Sequence, residues 1–143
     1  MHEVEIKLGR FPSCTNHPIS KWQNIQIEAA EELLFRITGK NGTVEDIKFP
    51  DIPAHWDEDQ VLSLAEMYYQ DIVNKYDPSS DIIHVMGETG FVWDLVSLLI
   101  YRGGFRVFYS TTTRRKKEKN SSGTWETKFI FVRFREFRKS KAI

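Results

Sequence analysis

Residues 82–114, IIHVMGETGFVWDLVSLLIYRGGFRVFYSTTTR, leave little choice of fold. An apolar run from Ile82 to Met86 meets a corner of small residues, Gly87-Glu88-Thr89-Gly90. Apolar residues at helical spacing follow from Phe91 to Tyr101, then a Gly103-Gly104 stop and a second apolar run, Phe105 to Tyr109. Run length and spacing assign these as strand, helix and strand. Two strands joined through a helix lie parallel and need a right-handed crossover. Each strand ends in polar chemistry: Gly87-Glu88-Thr89 after the first, Ser110-Thr111-Thr112-Thr113-Arg114 after the second. Open α/β sheets bind ligands at that carboxyl edge.

The flanking sequence repeats the unit. Trp22, Ile25, Ala29, Leu33 and Ile37 give a helix over about 21–37, with Ser20 as its expected N-cap. Gly39 and Asn41-Gly42 stop it. Thr43 to Phe49 reads as a strand closed by Pro50, and Glu58 to Tyr76 as the next helix. For the first strand two segments compete. Val4, Ile6 and Leu8 alternate with charged residues, while Gly9 to Pro18 holds Phe11 and Cys14. Pro12 cannot donate to a ladder and counts against a central strand there. After a polar tip over 115–123, Lys128 to Phe137 alternates apolar with charged residues and is expected to return antiparallel at the sheet edge. Residues 139–143 read as a tail. The expected fold is a Rossmann-like three-layer α/β sandwich, a mostly parallel sheet of about five strands with a C-terminal edge hairpin. At 143 residues it reads as a single domain.

Composition narrows function. No run approaches the roughly 18 apolar residues of a membrane span, and no apolar leader opens the sequence. Cys14 is the sole cysteine, so no intrachain disulfide is available and a reducing cytoplasm is the expectation. Formal net charge is zero, which argues against sequence-blind binding of long nucleic acid but leaves room for a small anion.

If the first strand lies beside the Ile82–Met86 strand, Asn16-His17, Gly87-Glu88-Thr89 and Ser110-Thr111 converge at the topological switch point. The glycine corner opens a helix, whose free N–H groups and dipole favour a phosphate. Glu88 repels one unless it serves as a base or holds a ribose hydroxyl, and a plain helix cap is the competing reading. The hydroxyls of Ser110, Thr111 and Thr112 with Arg114 suit phosphate and ribose, against a β-branched strand end with a surface arginine. Histidine side chains in general titrate near neutrality, so His17 suits general acid–base work, against a merely exposed loop histidine. His84, inside an apolar strand, reads as a satisfied core residue. No metal-ligand cluster, dinucleotide fingerprint, P-loop or nucleophile elbow is present, and no cofactor is expected.

The segments TNHP, DIKFP, HVMGETGFVWDLVSLL, YSTTTR and FIFVRFREF, spread over Thr15 to Phe137, resemble a family of small proteins from prokaryotic CRISPR neighbourhoods. The layout also resembles CARF domains and small ring nucleases, which bind cyclic oligoadenylate messengers. The resemblance implies a homodimer with its twofold axis over the strand ends, binding a cyclic oligonucleotide. It further implies cleavage without metal, by attack of a ribose 2′-hydroxyl on the adjacent phosphate. Asn16, Gly87, Glu88, Thr89, Ser110, Thr111 and Thr112 would then form the ligand site, with His17 and Arg114 as catalytic groups. Two rival readings keep other chemistry: a non-catalytic sensor or sponge of the same fold, and a mononucleotide enzyme with Glu88 or His17 as base.

Overall fold

The first strand forms in the GRFPSCT segment. This is β1 (Gly9–Thr15), buried at every residue but Arg10. The computed structural model describes residues 8–114, 118–126 and 129–139, with backbone alone at Arg114 and Glu118. The competing segment from Val4 falls outside the described residues except for Leu8, which is exposed. Next come α1 (Asn24–Thr38), β2 (Gly42–Lys48), α2 (Glu58–Lys75), β3 (Ile83–Val85) and α3 (Thr89–Ser97). α3 passes into a π-helical turn, Leu98–Arg102. β4 (Val107–Arg114), a short pair β5 (Glu118–Lys119) and β6 (Trp125–Glu126), and β7 (Phe129–Glu136) complete the chain. The remainder of the expected polar tip (115–117) and tail (140–143) lies outside the described residues.

Among the described residues one sheet runs β2-β1-β3-β4-β7. β1 is parallel to β2 and β3, β3 is parallel to β4, and β7 is antiparallel to β4. From β1 the chain steps one way to β2, then crosses back to β3 and on to β4. Right-handed crossovers demand that this reversal put α1 on one face and α2 and α3 on the other. The core obeys. Cys14, Ile83, Val85 and Val107 pack with Ala65 and Ile72 of α2 and with Phe91 and Leu95 of α3. On the opposite face Phe11, Ile82, Phe108, Phe131 and Phe134 pack with Trp22 and with Ala30, Leu33 and Leu34 of α1. Phe91, Leu95 and Leu34 are fully buried, each worth about 1.5–3 kcal/mol over an exposed side chain. The result is the three-layer Rossmann-like sandwich.

Three local expectations need correction. Pro12 sits in an interior strand after all. The β1–β3 ladder accommodates it by lapsing: an isolated bridge joins Arg10 to Asp81, and pairing resumes only at Ser13 with His84. Ser20 caps nothing. Ile19–Lys21 is a 3-10 turn, and Trp22 stays extended to bury its indole, so α1 starts behind Gln23. The Gln23 side chain instead accepts the Phe131 N–H at 3.2 Å. Finally, the alternation in β7 changes phase. The pairing slips between Thr111 and Thr112, leaving Val132 as an extra residue, so Phe131 and Phe134 both reach the α1 face.

Candidate functional site at the carboxyl edge

The chain leaves β1 in one direction and β3 in the other, so the switch point lies between them. After β1 a tight hydroxyl turn forms: Thr15 Oγ1 accepts the His17 N–H and donates to the His17 carbonyl, both at 3.0 Å. Trp22 Nε1 donates to the same carbonyl at 3.2 Å. The backbone is thus satisfied internally, while the side chains of Asn16 and His17 stay exposed. The facing wall comes from the end of β2. Asp46 Oδ1 accepts the Ile19 N–H at 3.0 Å, and Tyr68 of α2 donates to the Lys48 carbonyl at 2.8 Å. Between the walls lies a crevice of about 640 Å³, lined by Thr15, Asn16, Pro18, Lys48, Phe49 and Asp51 among others. Lys48, Phe49 and Asp51 were missed in the sequence. Their signal was there, since the DIKFP segment ends a parallel strand beside β1 and so reaches the same edge.

The glycine corner behaves differently. Gly87 has φ +147°, and a Cβ there would lie 2.3 Å from the Phe49 ring. Only glycine lets that ring close over the turn. Glu88 is the N-cap of α3, and its carboxylate accepts the N–H groups of Gly90 at 3.0 Å and Phe91 at 2.8 Å. The anion expected at this helix start is the chain's own. Asp94 adds a second carboxyl nearby, held above the ordinary carboxylate range by burial and by Glu88. A phosphate here would meet filled donors and like charge. Gly87 and Thr89 open instead onto a separate groove of about 470 Å³ with Trp93, Tyr101, Tyr109 and Phe137.

The polar run of β4 divides between faces. Ser110 points to the α1 side, where its Oγ lies 3.2 Å from His84 Nε2, and His84 Nδ1 lies 2.8 Å from Ser13 Oγ. The Ser110 N–H and hydroxyl both donate to Met86 Sδ, at 3.2 and 2.9 Å. With the Ser110 hydrogen committed to sulfur, His84 gives Nε2–H to Ser110 and receives the Ser13 hydroxyl at Nδ1. Burial pushes the His84 imidazole down to about 3, and Phe11, Trp22 and Phe134 surround it at centroid distances of 6.0, 5.5 and 5.3 Å. This neutral row ties β1, β3 and β4 together beneath the edge. Thr111 donates to the Arg133 carbonyl at 3.2 Å, and Thr112 is exposed. The backbone of Arg114 pairs with Phe129; its side chain lies outside the described atoms. The expected convergence on one crevice is therefore partial. Asn16 and the His17 loop meet Lys48 and Phe49, while Ser110, Thr111 and the glycine corner are engaged elsewhere.

Among the described residues no group of three or more His, Cys, Asp or Glu is placed to hold a metal ion, and no helix is long and apolar enough to cross a membrane. Comparison with curated proteins and with solved structures returned no match. Residues 10–138 match the Uncharacterized protein MJ1673 family, a span from the start of β1 to just past β7. The chain belongs to that family.

Proposed function

We propose that this protein binds a cyclic oligoadenylate at the β1/β2 crevice and acts as a sensor of that ligand. The observation that carries the reading is the crevice at the carboxyl ends of β1 and β2, next to the β1/β3 switch point, with Asn16 and the cation of Lys48 on its walls and the exposed His17 beside them. The carboxyl edge of an open α/β sheet is where ligands are received, and Lys48, which shares the crevice with Asp46 and Asp51, supplies a point charge for phosphate while Phe49 offers an aromatic surface for a base. The ligand class rests on the resemblance to CARF domains. A twofold ring suits two copies with their crevices facing, so the bound form is read as a homodimer, working in a reducing cytoplasm.

Cleavage is the second reading, and the exposed His17 beside the crevice favours it. In that case the ribose 2′-hydroxyl attacks phosphorus and loses its proton to water, the 5′-oxygen leaves with a proton from the protonated His17 imidazole, and a 2′,3′-cyclic phosphate remains. Sensing ranks first because the N–H donors at the start of α3, which follows β3 at this edge, are spent on Glu88, and such chemistry draws most of its acceleration from donors that hold the developing oxyanion. Incubation of the protein with cyclic tri-, tetra- and hexa-adenylate in EDTA, read by chromatography, separates these. Intact ligand co-eluting with protein supports the sensor. Linear products with cyclic phosphate ends, lost in His17→Ala, support the nuclease. Neither binding nor turnover removes both.

A further inference from the structure

Zero net charge conceals a division. Thirteen of the twenty Lys and Arg but only three of the twenty Asp and Glu follow Ser97, so residues 98–143 carry a formal +10 and residues 1–97 a formal −10. The expectation of no long nucleic acid was drawn from the total and ignored this asymmetry, which by itself points to a polyanion partner.

The fold gathers part of the basic share on one edge. β3 pairs with β4 only as far as Phe108, Ser110 still bonds His84 and Met86, and beyond it Thr111–Arg114 pairs with β7, so the two strands run on as an arm. Arg133, Arg135 and Arg138 stand exposed on or just after β7, at the free edge of the sheet. Arg36 of α1 joins Arg133 and Arg135 in lining a groove of about 470 Å³ that also takes in Leu33 and Phe134. Glu136 in this groove is held by Arg106, at 2.7 and 2.8 Å. Glu32 lines the adjoining recess. Among the described residues Arg36, Arg133, Arg135 and Arg138 have no carboxylate at ion-pair distance. In the β5–β6 pair, between β4 and β7 in the chain, Trp125 is 60% exposed, with Lys119 Nζ 5.5 Å from its ring centre.

Edge strands carry charge to prevent aggregation, but either sign would serve, and here acids are nearly absent. Adjacent like charges repel, and Glu136, drawn on by both Arg106 and Arg138, offsets only part of the charge of four guanidinium groups gathered along one groove. Arginines that grip phosphates, together with an exposed indole on which an unpaired base can stack, are the elements of a single-strand binding surface. We infer that the α1–β7 groove and the β4–β7 arm bind single-stranded nucleic acid, with phosphates on Arg36, Arg133, Arg135 and Arg138 and a base on Trp125. This surface is distinct from the β1/β2 crevice and stands whether or not that crevice binds a cyclic ligand.

The test is fluorescence anisotropy of labelled mixed-sequence single-stranded RNA and DNA, titrated with the full chain between about 50 and about 200 mM salt. At about 0.7 per phosphate contact, four arginines give a slope of log affinity against log salt near about −3. Arg133→Gln with Arg135→Gln, both at exposed positions, should cost at least about tenfold and flatten the slope by about 1.4. Trp125→Ala should lower affinity about tenfold and leave the slope unchanged. Absence of binding at low salt, or wild-type affinity in the arginine variant, overturns the inference. So does equal binding of polyglutamate, which would assign the groove to an acidic polypeptide, or a preference for duplex that ignores Trp125→Ala.

Discussion

Two turns at the carboxyl edge of the sheet occupy equivalent places and end in opposite conditions. Both follow a parallel strand at the switch point: Asn16-His17-Pro18 after β1, and Gly87-Glu88-Thr89 after β3. The first satisfies its backbone through Thr15 and Trp22 and leaves its side chains open to solvent. The second spends its side chain on its own backbone, with Glu88 filling the N–H groups of α3 and Phe49 closing over Gly87. Position on the sheet makes a site available. Local capping decides whether it is vacant. A helix N-terminus with an acidic N-cap is no longer an anion receptor, however well it is placed.

The contrast breaks most easily at Gly87. Gly87→Ala puts a Cβ into the Phe49 ring at a backbone angle that L residues avoid, so stability should fall by about 3 kcal/mol in urea titration. An unchanged midpoint would mean that the corner is not sealed. Next in size is the row beneath both turns. An unfolded histidine takes its proton near pH 6.5, but His84 in place takes one only near 3. Between those values the unfolded state holds the extra proton, so stability is full above about pH 6.5 and drains as pH falls toward 3. Lowering pH from about 7.5 to about 5 should remove about 2 kcal/mol, and His84→Gln should lessen that dependence. A third change sharpens the comparison by converting one turn into the other. Glu88→Ala should cost about 1 kcal/mol as a lost cap, and the vacated N–H groups should then make the variant's melting temperature rise with inorganic phosphate more than the parent's. The smallest effect belongs to the open turn. His17→Ala should shift stability by less than about 0.5 kcal/mol and show its consequence only in ligand binding.

How far the sequence could be read follows from the same physics. Apolar runs and their periods are properties of a segment by itself, and they placed α2, α3 and β3 within a few residues, whereas β4 runs five residues past the expected Tyr109 end and takes in the whole Ser110–Arg114 run, because pairing with β7 extends it. Asp57 and Gln60 form a full capping box at the start of α2, a signal written entirely in adjacent residues. What local pattern could not carry was partnership at a distance. Pro12 argued against an interior strand because the lapse in its ladder depends on where β3 begins. Ser20 lost the cap because Trp22 had to reach Phe134 and His84. The phase change at Val132 is hidden when β7 is read as simple alternation. For the site, burial of His84 was legible from its strand, but its bond to Ser110 removes a hydroxyl from the expected cluster, and that needs the β3–β4 register. Phe49 and Lys48 became visible only once β2 was known to flank β1.

Which of the two edge turns receives the proposed ligand is the central question, and amide chemical shifts on titration with cyclic tetra-adenylate address it residue by residue. The expected perturbations centre on Asn16, His17, Lys48 and Phe49, with Gly90 and Phe91 nearly still because Glu88 already holds them. Shifts concentrated at Gly90 and Phe91 would show the carboxylate displaced and the contrast reversed. A spectrum that does not move at all would take the cyclic ligand away from this protein.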